Sequence, residues 1–168
     1  MLRAARENRL EGLMAKRLGS PYQPGRRSGD WLKIKIVQGQ EFVVGGWVPL
    51  KGDARRGVGA LLLGYYEPVA GSPVRGNRRR RLVYAGKVGT GFTDEDRATL
   101  KRRLQEVERP SSPFGESRDL PQAFFVEPKL VAEVEYRGWT PVGRLRQPSY
   151  KGLRTDKDPA EVVRESPA

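Results

Sequence analysis

Apolar and aromatic residues in this chain gather in short runs, each bounded by glycine, proline, asparagine or serine. Five such runs, 41–50 (EFVVGGWVPL), 59–69 (GALLLGYYEPV), 81–92 (RLVYAGKVGTGF), 129–140 (KLVAEVEYRGWT) and 143–154 (GRLRQPSYKGLR), predict strands. Two earlier runs, 10–18 (LEGLMAKRL) and 30–37 (DWLKIKIV), are also strand-like, and a loop over 19–29 joins them. Residues 1–9 are short and helix-like. One segment has a different period. Thr93 with Asp96 forms the pattern of a capping box, and Leu100, Leu104 and Val107 follow at helical spacing until Pro110. A Pro/Ser-rich loop then spans 109–121. Setting aside the first two strands, five strands interrupted by one helix are the inventory of a mainly β protein built on a five-stranded OB-type barrel.

The run 30–37 carries the first hint of chemistry. Side chains alternate across a strand, so Leu32, Ile34 and Ile36 share a face that reads as buried. Lys33 and Lys35 share the other, about 6.8 Å apart at two strand rises. Two lysines can simply be a solvated face. Two ammonium groups aimed at one point call for an anion.

Composition narrows the choice of anion. The 168 residues include no cysteine and no histidine, which removes disulfides, thiolate nucleophiles, Cys/His zinc sites and His-based triads. Lys plus Arg is 32 against 20 Asp plus Glu, a net charge of +12, which points to a polyanionic partner. Residues 1–90 carry 18 Lys/Arg against 6 Asp/Glu, whereas residues 91–168 carry 14 of each, so the basic excess belongs to the first half. The start, MLRAARENRL, lacks the apolar core of a signal peptide, and no run approaches membrane-spanning length. A cytoplasmic protein with no membrane partner is expected.

The densest charge is GNRRRRL at 76–82. Arg78, Arg79, Arg80 and Arg81, with Lys87 nearby, are candidate DNA contacts; the alternative is a solvated loop. GKVGTG at 86–91 has the wrong spacing for a Walker motif, and glycines at a bend in a barrel strand explain it better. Trp31, Trp47 and Trp139 are read as packing residues, any exposed one being able to stack on a base.

Three blocks taken together resemble the ATP-dependent DNA ligases, particularly the ligase module of bacterial end-joining enzymes. EGLMAKR at 11–17 is similar to the fourth nucleotidyltransferase motif of that family, WLKIK at 31–35 to the fifth, and RQPSYKGLRTDK at 146–157 to the sixth. The spacers SPYQPGRRSGDW and YAGKVGTGF also fit. The resemblance covers nearly the whole chain in order. It implies a division into the C-terminal piece of a nucleotidyltransferase domain (1–38), an OB-fold domain (39–160) and a tail (161–168).

It also implies roles. Lys33 and Lys35 would face the α-phosphate of ATP and then of the adenylate, stabilising charge on an attacked phosphorus. Glu11 would help hold a magnesium ion, whose preference is for carboxylate oxygen. Arg154, Asp156 and Lys157 would orient the leaving pyrophosphate, the arginine as a planar donor fork. Glu11, Lys33 and Lys35 are thus the expected catalytic residues, ATP and magnesium the expected cofactors, and nicked double-stranded DNA the expected substrate.

One part of the family pattern has no counterpart. The nucleophilic lysine of K-x-D-G is absent, and KGDA at 51–54 lies after the fifth motif, where it is read as a turn. The chain is therefore expected to be unable to adenylate itself. It would be a gene piece, or a polypeptide that docks onto a separate ligase N-terminal region. Two rivals stay open: a non-catalytic OB module that binds nucleic acid, and an RNA-capping or RNA-ligase relative.

Overall fold

Every run expected to be extended forms at least one strand. In the computed structural model, which describes residues 1, 4–5, 8, 10–26, 28–51, 57–69, 80–115 and 120–165, the order begins β1 (Gly12–Lys16), β2 (Trp31–Lys35), β3 (Gln38–Pro49), β4 (Val58–Pro68) and β5 (Arg80–Val88). It continues with helix α1 (Asp94–Gln105), β6 (Glu108–Arg109), β7 (Phe124–Tyr136), β8 (Gly138–Trp139), β9 (Leu145–Arg146), β10 (Ser149–Arg154) and a 3-10 turn (Pro159–Glu161). The runs 129–140 and 143–154 each divide into two strands. Gly138 at the first break and Gln147 at the second depart from ordinary extended backbone.

The long strands form one antiparallel sheet in the order β10-β7-β3-β4-β5, with β6 added at the start of β7. Its two edges meet. The Tyr150 N–H donates to the Thr90 carbonyl at 2.9 Å, and the Thr90 hydroxyl donates to the Pro148 carbonyl at 3.1 Å. This is the OB fold, with its helix after the third barrel strand. The glycines of GKVGTG make the bend: Gly86 sits at φ +119° where the β4–β5 register shifts, and Gly91 sits at φ +90° with Tyr150 backbone packed where a Cβ would be.

Inward side chains, among them Phe42, Leu61, Leu63, Val88, Val126 and Val134, are fully buried, and α1 adds Leu100 and Leu104 to the same cluster. The capping box forms as predicted. The Asp96 N–H donates to the Thr93 hydroxyl oxygen at 3.1 Å, and the Thr93 N–H donates to the Asp96 carboxylate at 2.8 Å. The Thr93 N–H, with the Thr93 hydroxyl donating to the same carboxylate oxygen at 2.7 Å, holds the Asp96 carboxyl below its usual range. The helix ends at Gln105, short of Pro110, because the Val107 carbonyl accepts from the Glu127 N–H at 2.7 Å and the chain is drawn into β6. Residues beyond the 3-10 turn pack on the barrel: Val162 is buried, and buried Gln40 donates to the Val163 carbonyl at 2.9 Å while accepting from the Glu165 N–H at 3.1 Å.

The β1–β2 hairpin is a separate two-stranded sheet. Here the expectation of a buried apolar face fails. Leu32 is 63% exposed and Ile34 38%, and Leu13, Ala15 and Ile36 on that face are at most half-buried. No third strand among the described residues adds to either edge, so the hairpin lacks the packing that stabilises two strands in water. Among the described residues no helix is long and apolar enough to cross a membrane.

Two outcomes follow from this packing. Amides of β1 and β2 should exchange fastest among the strands, and β3, β4 and β7 slowest; strong protection of residues 12–16 and 31–35 in an exchange experiment would contradict the account. Burial, with the Asp96 carboxylate adding, pushes the Tyr150 phenol up to about 12. A raised phenol contributes stability that is complete below about pH 10 and is lost as pH rises through about 12. Thermal unfolding followed between these limits should show Tm falling less steeply for Tyr150→Phe than for the parent chain.

Candidate functional site

Directly opposed residues of an antiparallel pair point to the same side, so the register Gly12↔Lys35, Met14↔Lys33 and Lys16↔Trp31 gathers these six residues on one face of the hairpin. That face, the loop over 19–29 and Arg137 at the end of β7 enclose a cleft of about 640 Å³. Its size falls in the range of small-molecule sites, roughly 300–1,000 Å³. Among the described residues, four cations line it, Arg26, Lys33, Lys35 and Arg137, and no carboxylate does. Among the described residues, no hydrogen bond or ion pair engages the side chains of Lys33, Lys35 or Arg137. Repulsion between the two ammonium groups is roughly 0.6 kcal/mol across ~6.8 Å of water, small enough to tolerate and large enough for an anion to relieve.

Trp31 forms the apolar wall. Its ring lies 5.4 Å from Tyr22, Lys16 Nζ sits 4.1 Å from its centre, and its Nε1 donates to the Ser20 hydroxyl at 3.3 Å. The other tryptophans are packing residues, as expected. Trp47 stacks on Phe124 at 4.8 Å, and Trp139 lies against Phe42, Tyr65 and Tyr136.

Glu11 does not line the cleft. Its backbone carbonyl accepts from the Ile36 N–H at 3.2 Å, extending the hairpin by one pair, and its carboxylate lies 3.5 Å from Arg146 Nη2. Among the described residues no cluster of three or more acidic side chains could hold a metal ion. One carboxylate fits magnesium in the manner common at phosphate sites, where nucleotide oxygens and water complete the shell.

Arg154 is likewise outside the cleft, held by three carboxylates. Its Nε and Nη2 donate to Asp156 at 2.9 and 2.8 Å, and its Nη1 lies 3.2 Å from Glu41 and 3.6 Å from Glu133. The register explains the arrangement: Glu41 and Glu133 are directly opposed on β3 and β7, a repulsive pair unless a cation bridges them. The Arg154 guanidinium holds the Asp156 carboxyl at about 2, and the carboxylates in turn raise Arg154. Lys157 follows at a half-buried position.

The remaining candidates are dispersed. Arg81 lies 3.4 Å from Glu67, its cross-strand partner, and Arg80 donates to the Ala160 carbonyl. Lys87 is exposed on β5, and Lys51 is exposed in the turn after β3. Arg78 and Arg79, and residues 52–54 of KGDA, lie outside the described residues. The structure thus brings Lys33 and Lys35 together and leaves Glu11 and the terminal block apart from them. Sequence reasoning missed Arg137 and Arg146. Arg137 stands in a strand-like run whose charges cancel, and Arg146 opens the RQPSYKGLRTDK block without matching a residue to which that resemblance gives a role.

Two family descriptions match the chain: ATP dependent DNA ligase domain over residues 1–35, and ATP dependent DNA ligase C terminal region over 54–157. The multifunctional non-homologous end joining DNA repair protein LigD of Mycobacterium tuberculosis is 45% identical over 164 residues, covering 96% of this chain and 20% of that protein. A DNA ligase of Thermococcus onnurineus is 38% identical, covering 90% of this chain and 25% of its own length. The crystal structure of the ligase domain of M. tuberculosis LigD matches at TM-score 0.63 and 45% identity, over 97% of this chain and 50% of that one. A mycobacterial DNA ligase D complexed with ATP and MES matches at TM-score 0.59 and 44% identity, over the same shares. The chain spans about a fifth to a quarter of the length of these curated relatives.

The carboxylate cluster makes its own prediction. Asp156 should titrate at about 2, its bond to Arg154 being intact above the ordinary carboxylate value of 3.8 and lost as pH falls through about 2. In Arg154→Gln the side-chain carbonyl resonance of Asp156 should titrate nearer the ordinary value; an unchanged midpoint would show that the guanidinium is not the cause.

Proposed function

The chain belongs to the ATP-dependent DNA ligase family, and from that premise we propose that it carries the phosphate-facing and DNA-facing C-terminal part of a nick-sealing enzyme. The observation behind this reading is the cleft whose charged lining residues, among those described, are all cations, two of them Lys33 and Lys35. Residues 1–38 end the nucleotidyltransferase domain, and residues 39–160 form the OB domain. The setting is strand-break repair in the cytoplasm.

The chemistry requires charge stabilisation three times. A lysine amine outside these 168 residues attacks the α-phosphorus of ATP, forming a P–N bond as pyrophosphate leaves. The adenylate then passes to the 5′-phosphate of a nick, and finally the 3′-hydroxyl displaces AMP. Each step passes charge through oxygens on a phosphorus under attack, and fixed cations stabilise that charge. Lys33 and Lys35 fill this role at the cleft floor. Glu11 would hold a magnesium ion, which would supply further positive charge to the phosphates.

Arg154 and Lys157 orient pyrophosphate when the OB domain closes on ATP. In the arrangement described above, Arg154 is engaged by Glu41, Glu133 and Asp156, as suits a stage at which pyrophosphate has left and the OB surface is turned to DNA. The basic strand β5, with Arg80, Arg81 and Lys87, then meets DNA phosphates, as do Arg78 and Arg79.

Covalent labelling tests the reading. With α-labelled ATP and magnesium on a denaturing gel, the chain alone should take no label. A separately expressed ligase N-terminal region containing K-x-D-G should be labelled, more strongly when this chain is added, and Lys33→Ala should remove the stimulation by about 100-fold. Label on this chain itself would refute the assignment of the nucleophile and direct mutation to Lys51.

A further inference from the structure

Among the described residues, Arg137 is the one residue of the barrel that lines the cleft. Position 137 follows the last residue of β7, and its backbone is fixed there: the Arg137 N–H donates to the Arg146 carbonyl at 2.9 Å, within the β8–β9 turn region. Next to it Arg146 reaches Glu11, so this end of the barrel meets the start of the hairpin through an ion pair at 3.5 Å. The Arg137 side chain is thereby delivered to the wall facing Lys33 and Lys35.

Three features of that placement call for an anion. Arg137 is half-buried, and among the described residues no carboxylate or carbonyl accepts from its guanidinium. Among the described residues, the other charged groups that line the cleft are cations. The expected OB-side cation, Arg154, is bonded to three carboxylates outside the cleft. A planar fork of donors beside two lysine point charges can hold one phosphoryl group through two hydrogen bonds while the lysines neutralise it.

We propose that Arg137 is a further phosphate-binding residue of the cleft, supplied by the OB domain in the arrangement that leaves Arg154 on Glu41, Glu133 and Asp156. Its ligand is a phosphoryl group on a nucleotide 5′ oxygen. That chemistry has two sources, the phosphates of ATP and the 5′-phosphate of a nicked strand. The assignment rests on the cleft being the phosphate site, and it adds a residue that neither the three motif blocks nor the hairpin contains.

Trp31 in the cleft wall gives a direct readout on the 168-residue chain. Its fluorescence would be titrated with ATP, with nicked duplex carrying a 5′-phosphate, and with the same duplex carrying a 5′-hydroxyl, Trp31→Phe giving the background. Arg137→Gln should weaken binding of at least one phosphorylated ligand by about tenfold, the loss of a charge-assisted bidentate contact, and leave the 5′-hydroxyl duplex unchanged. Arg137→Lys should recover only part, because it restores charge without the fork. Loss confined to ATP identifies the nucleotide as the source, and loss confined to the 5′-phosphate duplex identifies DNA. If Arg137→Gln binds every ligand as the parent does while Lys33→Ala and Lys35→Ala are weakened, the role of Arg137 is overturned and the phosphate cleft stands. If the parent binds no phosphorylated ligand through the cleft, or neither lysine variant is weakened, the phosphate reading itself falls and the role of Arg137 with it.

Discussion

Closure of the sheet at Thr90 and Tyr150 is the constraint on which the barrel's charged groups depend for their placement. A five-stranded sheet with two open edges would leave β5 and β10 free to twist apart. The Tyr150 N–H to Thr90 carbonyl bond joins them, and Phe92 stacks on the Tyr150 ring at 4.5 Å beside it. With β10 held there, Arg154 falls across the Glu41–Glu133 pair, and the turn between β7 and β10 carries Arg137 and Arg146 to the hairpin. Gly91 belongs to the same joint, since a side chain there would occupy the space of Tyr150 backbone.

Charge is organised in two different ways on this frame. Among the described residues lining the cleft, cations stand together without carboxylates, an arrangement that is tolerable because it is open to water and that an anion would balance. At Arg154 the balance is reversed, with three carboxylates around one guanidinium. An arginine so engaged must exchange those partners for phosphate oxygens before it can serve a nucleotide. The exchange is between charge-assisted bonds of similar kind, so its equilibrium responds to modest changes in ligand concentration or domain position.

Local signals were legible in the sequence, and contacts between distant segments were not. Strands 41–50 and 59–69 declared themselves by apolar runs between turns, and Thr93 with Asp96 announced the helix start because a capping box is wholly local. Lys33 and Lys35 could be assigned to one face from alternation alone. The partners of Arg154 could not, because they depend on the register of three strands separated by up to 113 residues. Arg137 was missed for a related reason: its neighbours in the cleft are about a hundred positions away. The apolar face of Leu32 and Ile34 was read as buried because alternation shows that a face exists, not what covers it.

That uncovered face bears on the life of the chain in a cell. Leu32 and Ile34 on β2, with Leu18 fully exposed beyond β1, present the apolar surface that chaperones and proteases act on. A surface laid over Leu32 and Ile34 would withdraw them from that action, so the survival of the hairpin under a protease would report whether it is covered.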